Sequence, residues 1–380
     1  MRFFIVFIVS AFVFCGCKDA KKQMVERNGN LSTIVIPRVI DAEDVNIFKN
    51  LEYTILEAKE NSFLGYVSKL RVHQDKIYVL DARHAKSLFI YTTDGKHIAT
   101  IGDKKGRGPL EFISVTNFEI DYANNQLFVI DNHGSKSMIY DLEGNFIKRV
   151  DSNIPICNAV LLPNGYVLHA KSSCEILDQR NFQILIADEN KQIVRESFEY
   201  IDNKNLCIQI YNGISAQSDG GFNFAPAFRD TIYNISFESI MPKYAIDYGN
   251  NKKISKSKID DLGSYPELFK IIADGNFCFM GNHIESKDFL YLDIGYETQN
   301  QTYVFYNKHT DNTIAIHNRA KIGKYEFELY RILCSDSEGY FYGAFNFTDV
   351  DKIAKLFPEI QKIDAETELN PVLFRYKVEF

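Results

Sequence analysis

The sequence predicts an all-β protein: a six-bladed β-propeller of four-stranded antiparallel blades with two short helical insertions. The first observation is a repeat, in which KIYVLDARHAKSLFIYTTDGKHI (residues 76–98) matches QLFVIDNHGSKSMIYDLEGNFI (residues 126–147). Each copy has short apolar strands separated by polar turns, and a unit of about 40 to 50 residues built this way is typical of a propeller blade. The second observation is composition, because 30 Phe and 22 Tyr residues suit pleated strands.

Alternating apolar residues and turn residues mark the blades in order along the chain. Blades one and two are expected from Val67 to Gly102 and from Val115 to Val150. Blade three follows, with a turn at Asp188 to Lys191 in place of an Asp-Gly turn. The last three blades are expected from Tyr211 to Tyr248, from Asn276 to Asn318 and from Glu328 to Phe380.

Two helices are expected outside the strand pattern, from Ser257 to Ile271 between blades four and five and from Thr348 to Ile363 within blade six. Both are insertions, so residues 33–380 are expected to form one propeller domain. A propeller ring usually closes by pairing N-terminal and C-terminal strands in one blade, which removes an open sheet edge. Either TIVIPRVI (residues 33–40) or LEYTIL (residues 51–56) could supply the N-terminal strand, and the pattern does not choose between them.

Residues 1–16 have the pattern of an export signal. Arg2 precedes an apolar segment from Phe3 to Phe14, which is too short for a bilayer that needs about 20 helical residues. The segment ends in Gly16-Cys17, which resembles a bacterial lipobox and implies cleavage before Cys17 and lipidation of that cysteine. Residues 17–32 would then be the lipidated cysteine and a polar tether. An ordinary signal peptide cleaved nearby is the alternative.

These features predict an exported protein whose lipid anchors it to the cell envelope, with the outer membrane expected and its periplasmic and surface faces both open. The net charge of −7, without a dense basic run, predicts no nucleic-acid partner. Beyond Cys17 an odd number of cysteines remains, which indicates that disulfides do not build the fold. These residues are Cys157, Cys174, Cys207, Cys278 and Cys334.

Four segments match one family pattern along nearly the whole chain. They are Ile101-Gly102 with GRGPLEF (residues 106–112), RDTIY (residues 229–233), PKYAIDYG (residues 242–249) and NPVL (residues 370–373). These segments resemble the six-bladed β-propeller lipoproteins of Bacteroidetes-type bacteria, an NHL-like family of largely uncharacterised members. Leu110 stands where the family has a third glycine. The resemblance implies the propeller fold and export, and it transfers no catalytic residues.

The loop at residues 103–111 is the candidate site for a ligand or a partner. Its polar side chains of interest are Lys104, Lys105, Arg107 and Glu111. The three cations could bind an anion together with backbone N–H groups of the loop glycines. The alternative is a structural connection between blades with solvated charges, because the glycines and Pro109 favour a tight turn.

No cofactor is predicted, with calcium or zinc in the central channel as the alternative. Asp81, Asp121 and Asp131 recur at strand ends, where carboxylates could ligate calcium. Without calcium-loop spacing, such residues more often hydrogen-bond their own turns. Histidines such as His73 and His283 could line the channel, but no metal-binding spacing is present, so packed or surface roles are expected.

The favoured function is a binding or scaffold module that presents a propeller face to a protein or glycan partner at the cell envelope. Propeller faces are broad and lined with loops, and the chain shows an export signal and no recognisable catalytic constellation. The alternative is a metal-dependent lyase or hydrolase with its site in the central channel. An enzyme is therefore less expected for this chain than a binding module.

Overall fold

The protein is a closed ring of six propeller blades, as the sequence predicts. The computed structural model describes residues 31–42, 46–59, 62–131, 136–151, 156–162, 164–170, 182–190, 192–199, 214–216, 222–226, 228–295, 301–322, 325–328, 332–345 and 370–380. Six sheets account for all strands in this part of the chain. The predicted export signal, Cys17, nearly all of the tether and the helix expected from Thr348 to Ile363 lie outside the described residues.

Three strands of the described residues precede the first blade. They are β1 (Ser32–Val35), β2 (Ile40–Ala42) and β3 (Phe48–Ile55). Blade one then contains β4 (Lys69–His73), β5 (Lys76–Asp81), β6 (Ser87–Thr92) and β7 (His97–Ile101). Blade two contains β8 (Asn117–Asp121), β9 (Gln126–Asp131), β10 (Lys136–Asp141) and β11 (Phe146–Asp151). Blade three contains β12 (Ile156–Leu162), β13 (Gly165–Ala170), β14 (Phe182–Asp188) and β15 (Ile193–Glu199).

The second half of the ring has the same design with additions. Blade four contains β16 (Ile214–Ala216), β17 (Phe222–Phe224), β18 (Thr231–Ile235) and β19 (Ile240–Asp247). Blade five contains β20 (Phe279–Glu285), β21 (Phe289–Ile294), β22 (Thr302–Asn307) and β23 (Thr313–Ile322), whose far end pairs with β24 (Tyr325–Glu328). Blade six contains β25 (Cys334–Ser335), β26 (Phe341–Phe345) and β27 (Val372–Val378).

The N-terminal strands cover the outer edges of three successive blades. β1 pairs in parallel with β19 of blade four, and β2 pairs in parallel with β23 of blade five. β3 then pairs antiparallel with β27 and becomes the fourth strand of blade six. LEYTIL therefore closes the ring, whereas TIVIPRVI covers edges of blades that already have four strands. Both segments protect backbone groups that an open sheet edge would expose.

Apolar clusters fill all six interfaces between neighbouring blades. Tyr78 of blade one packs in the same cluster as Phe118 of blade two, and equivalent clusters follow around the ring. The last interface joins blade six to blade one, where Leu70 and Tyr342 share a cluster. Alternate residues of each central strand thus face opposite neighbours, which explains why the strands are apolar on both faces.

Asn370 of the NPVL segment fixes this last interface. Its Oδ1 accepts from Leu64 N at 2.9 Å, and its Nδ2 donates to the carbonyl oxygens of Ser62 at 2.8 Å and Glu57 at 3.0 Å. The side chain is 1% exposed, so these bonds form inside the protein. The segment that carries the family resemblance therefore connects the end of the chain to the entry of blade one.

The insertion between blades four and five contains two helices where one was predicted. α1 (Lys256–Asp260) ends at Asp261, and α2 (Tyr265–Ala273) begins after Ser264. Pro266 lies in the first turn of α2, where its missing N–H has no helical partner to lose. Inside one continuous helix, Pro266 would remove a backbone hydrogen bond, so the prediction of a single helix from Ser257 to Ile271 was wrong. Neither helix in the described residues is long and apolar enough to cross a membrane.

The two ends of the ring carry different loops. Hairpin turns such as residues 74–75, 93–96 and 286–288 lie at one end, which we call the turn face. Residues 82–86 and the connection at residues 102–116 lie at the other end, which we call the connection face. β1 runs parallel to β19, which ends at the connection face, so β1 begins on the side of the turn face.

Candidate functional site

The loop at residues 103–111 lies on the connection face and is held by its own polar groups. Glu111 Oε2 accepts from Gly108 N at 2.8 Å, and its carboxylate lies directly over two glycines. A Cβ on Gly106 would come within 2.0 Å of that carboxylate, so a side chain at this position would displace Glu111 from its hydrogen bond to the loop. Gly106 N donates to Phe112 O at 3.0 Å. Both glycine N–H groups are thus used inside the loop.

The predicted site residues of this loop divide into two pairs. Lys105 Nζ donates to Lys86 O at 2.8 Å, and Glu111 binds the loop backbone, so these two side chains hold structure. Lys104 and Arg107 are exposed to solvent. Leu110, at the position of the missing glycine, is 52% exposed and does not have a positive φ, so the loop needs no glycine there. The structure therefore leaves Lys104 and Arg107 available for a partner.

Two neighbouring segments join this loop in one surface. Asp81 accepts from the backbone N–H groups of Gly65 and His84 at 2.9 and 2.8 Å, which ties residues 62–68 to residues 82–86. We call the resulting surface the connection-face patch. Its exposed residues include Phe63, Arg83, Lys86, Lys104, Arg107 and Leu110, together with His84, Asp103, Lys105 and Pro109. Residues 62–68, 82–86 and 103–111 contain five basic and two acidic residues, a net +3 (5 − 2), on a chain of net charge −7.

The recurring aspartates at strand ends hold turns. Asp131 Oδ2 accepts from Ile113 N at 2.7 Å, in the same role that Asp81 has in blade one. Asp121 accepts from the backbone of Ala123 at 3.2 Å in its own turn. Among the described residues, no group of three or more His, Cys, Asp or Glu side chains is placed to hold a metal ion. The turn interpretation of these aspartates therefore accounts for their positions.

A buried ionic cluster lies between the innermost strands of blades one and two, β4 and β8. Glu119 of β8 accepts from Lys69 Nζ in a short contact and from Arg71 Nη2 at 2.9 Å, both on β4. Arg71 Nε also donates to Glu119 Oε2 at 3.2 Å, and Lys69 Nζ donates to Asn117 Oδ1 at 2.8 Å. We call Lys69, Arg71 and Glu119 the channel cluster, because β4 and β8 border the centre of the ring.

The channel cluster is nearly inaccessible to solvent. The side chains of Lys69, Arg71 and Glu119 are 7%, 11% and 2% exposed. Burial lowers the pKa of Lys69 to about 8, against the opposing effect of Glu119. Burial would raise the pKa of Glu119, but the two cations outweigh it and hold that pKa below its usual value. The carboxylate is therefore ionised at neutral pH between two cations.

A second cluster joins blades four, five and six at the turn face. Glu285 Oε2 accepts from Lys243 Nζ at 2.8 Å and from Asn223 Nδ2 at 2.6 Å. Its Oε1 accepts from Tyr244 Oη and Lys308 Nζ, both at 3.0 Å. Its backbone oxygen accepts from the hydroxyl of a serine of blade six at 2.9 Å. We call Glu285, Lys243 and Lys308 the rim cluster, and its lysines are 29% and 22% exposed.

His283 lies two residues before Glu285 on the same side of β20. Its Nδ1 is 2.9 Å from Gly281 O, which can only accept, so Nδ1 carries the proton. Its Nε2 is buried and has no hydrogen-bond partner among the described residues. Burial lowers the pKa of His283 to about 4, so the ring is neutral at pH 7. His73 instead lies at the turn face, with its ring edge-on to Tyr122 at 4.9 Å between centroids.

A pocket of about 350 Å³ lies at the outer part of the connection face. It is lined by the insertion after blade four, by the N-terminal segment and by blade five, including Arg38, Asn251, Phe277 and His317. Asn251 Nδ2 donates to Ile36 O at 3.1 Å and holds the N-terminal segment against this pocket. Cys278 and Cys334 are buried free thiols.

Sequence reasoning did not single out the charged residues of the channel and rim clusters. One signal was present, since Lys69 and Arg71 alternate in the first strand of blade one, which borders the centre of the ring. A charged pair at that position is surrounded by protein and therefore requires a partner. The equivalent strand of blade two carries Glu119. The partners of Glu285 come from distant strands and leave no comparable pattern.

The family of the chain follows from its sequence. Residues 37–377 match the family model described as a domain of unknown function, DUF4934. The chain belongs to the DUF4934 family. No curated protein is detectably similar to it in sequence.

Solved structures share the fold of this DUF4934 protein. The crystal structure of a Bacteroides fragilis protein predicted to be exported has a TM-score of 0.72 and 16% identity, covering 92% of this chain and 100% of that one. A member of the DUF4221 family from Bacteroides vulgatus has a TM-score of 0.53 and 14% identity, covering 88% and 98%. At these identities the similarity establishes the fold alone. The expected likeness to Bacteroides propellers is thus confirmed at the level of architecture.

Proposed function

We propose that this DUF4934 protein is an exported, lipid-anchored binding module that holds an acidic segment of a protein partner at the cell envelope. The observation that carries the proposal is the connection-face patch, with its exposed cations around Phe63 and Leu110, which are 44% and 52% exposed. Exposed apolar side chains surrounded by charge are typical of protein interfaces. The patch is basic on an acidic chain, so an acidic segment complements it.

The path of the N-terminal segment indicates how the propeller would be oriented on the membrane. The chain enters β1 from the side of the turn face, so a lipid on Cys17 would bring that side towards the membrane. The connection-face patch would then face away from the bilayer. The Bacteroides fragilis protein that is predicted to be exported has the same architecture, which agrees with export of this chain. Attachment of lipid to Cys17 is tested by metabolic labelling with a fatty acid, which should label the native protein and not Cys17→Ser.

The binding proposal is tested by crosslinked affinity purification of the tagged full-length protein from its native membrane. One protein should be recovered in near-equal amount, and the double variant Lys104→Glu/Arg107→Glu should lose it. The matched control is Lys256→Glu/Lys258→Glu on α1, which makes the same charge change at exposed lysines elsewhere and should keep the partner. Higher salt should also weaken the interaction, because exposed charges are screened.

Two outcomes would overturn the proposal. Equal recovery of the partner with the Lys104→Glu/Arg107→Glu variant would show that the connection-face patch is not the docking surface. Recovered material that resists protease and is destroyed by glycosidases would identify a glycan in place of a protein.

A further inference from the structure

The channel cluster contains one more cation than carboxylate. Lys69 and Arg71 both bind Glu119, and the other polar partners in reach are uncharged: Asn117 Oδ1 for Lys69 and Leu70 O for Arg71. The charges that act on Lys69 are those of Glu119 and Arg71, and the further groups that act on Arg71 are Tyr122 and Cys334, both neutral at pH 7. The cluster therefore has a net charge of +1.

An uncompensated charge inside a protein is unfavourable unless something neutralises it. The side chains concerned are 7% and 11% exposed, so water compensates only a small part of the charge. Among the described residues, Glu119 is the one carboxylate that forms an ion pair with Lys69 or Arg71. The cluster therefore lacks one negative charge, which a bound anion would supply.

The cluster also has hydrogen-bond donors left over. A lysine ammonium has three N–H groups and a guanidinium has five. Lys69 uses two of its three, on Glu119 and Asn117, and Arg71 uses three of its five, on Glu119 and Leu70 O. A guanidinium beside an ammonium matches the oxygen atoms of a carboxylate or a phosphate.

We propose that the central channel of this DUF4934 protein is a binding site for a small oxyanion, a carboxylate or a phosphate, held by Lys69 and Arg71. Glu119 positions both cations and does not itself meet the ligand. Asn117, two residues before Glu119 on β8, accepts a further hydrogen bond from the ammonium of Lys69 at 2.8 Å. The site is separate from the connection-face patch, so it does not depend on the binding function proposed above.

Binding at this site is coupled to protonation of Lys69. The pKa of this ammonium is lowered by burial, and an anion beside it would raise that pKa again. Binding should therefore take up protons near pH 8 and weaken at higher pH, where the lysine is neutral. Glu119 and Arg71 face Lys69 and stay ionised over this range, while the ring of Phe118 covers the ammonium at 5.5 Å.

The test is calorimetric titration of the full-length protein with inorganic phosphate and with acetate at pH 7 and pH 9.5. We expect saturable binding of at least one of them at pH 7, weaker binding at pH 9.5, and a heat that depends on the ionisation enthalpy of the buffer. Lys69→Met should lower the affinity by about tenfold to a hundredfold, as expected for loss of a charged hydrogen bond. Lys69→Arg keeps the charge and should retain binding.

Two control variants locate the site. Lys243→Met removes a lysine from the rim cluster, and Lys104→Glu/Arg107→Glu removes charge from the connection-face patch, and both should bind as the unchanged protein does. Circular dichroism checks that every variant is folded. Equal affinity in Lys69→Met, loss of binding in the patch variant, or no saturable binding of either anion would each overturn the proposal.

Discussion

The channel cluster and the rim cluster carry the same set of charges in different surroundings. Each holds one glutamate between two cations, and they lie at the interfaces of blades one and two and of blades four and five, on opposite sides of the ring. The cations of the channel cluster are 7% and 11% exposed, whereas Lys243 and Lys308 of the rim cluster are 29% and 22% exposed. Water therefore solvates the rim cations to a greater extent than those of the channel.

This difference decides what each glutamate does. Glu119 neutralises part of a buried charge, and its partners cannot move into water if it is lost. Glu285 instead collects donors from several strands, including the neutral groups of Asn223 and Tyr244, and so connects blades. In the channel, the glutamate is needed to compensate buried positive charge. At the rim, the glutamate mainly links strands of different blades.

Glu119→Gln should have the largest effect on stability. The change leaves Lys69 and Arg71 buried without a carboxylate, and breaking a buried ion pair in this way lowers the free energy of unfolding by about 3–5 kcal/mol. Equilibrium unfolding in urea measures it. A loss below about 1 kcal/mol would show that water reaches the channel, since exposed ion pairs contribute no more than that.

Glu285→Gln should have a smaller effect, about 1–3 kcal/mol, because the amide leaves buried donors imperfectly paired while both lysines turn towards solvent. The same unfolding experiment applies to it. If Glu285→Gln proved as damaging as Glu119→Gln, the distinction drawn from the exposure of the cations would be wrong.

These two clusters also show how far the sequence leads. The blades, their hairpins and the turn roles of Asp81 and Asp131 follow from local patterns of apolar and turn residues. The partners of Glu285 come from strands of two other blades and from a turn, at sequence distances that no local pattern encodes. The strand that closes the ring was ambiguous because TIVIPRVI and LEYTIL are both apolar and both pair at an outer edge of a blade. The local sequence does not show which blade each of them joins.

His283→Gln should change how stability depends on pH. The pKa of His283 is lowered from 6.5 to about 4 in the folded protein, so the unfolded chain binds a proton that the folded one does not between these values. The stability that depends on neutral His283 is therefore complete above pH 6.5 and falls as pH decreases towards 4. Glu285 and Lys243 face this ring and are unchanged in the variant.

The measurement for His283 is urea unfolding of both proteins at pH 7 and pH 4.5. The unchanged protein should lose more stability than His283→Gln between these values. Parallel losses in the two proteins would show that His283 is protonated in the folded state, and that the rim cluster is more open to water than its geometry indicates.

Lys243→Met should have the smallest effect, below about 1 kcal/mol, because this ion pair is partly exposed and screened. Glu285 keeps Lys308, Asn223 and Tyr244 as partners. Thermal unfolding at low and high salt measures the change. A loss comparable to that of Glu285→Gln would assign most of the stability of the rim cluster to this single lysine.

The N-terminal segment has a consequence for the order in which the protein is made. β1, β2 and β3 are synthesised first, yet their partners β19, β23 and β27 end at Asp247, Ile322 and Val378. β3 therefore has no partner until β27 has been synthesised. β3 is thus made before every blade and placed only with the last one, and a chain truncated before β27 cannot close the ring.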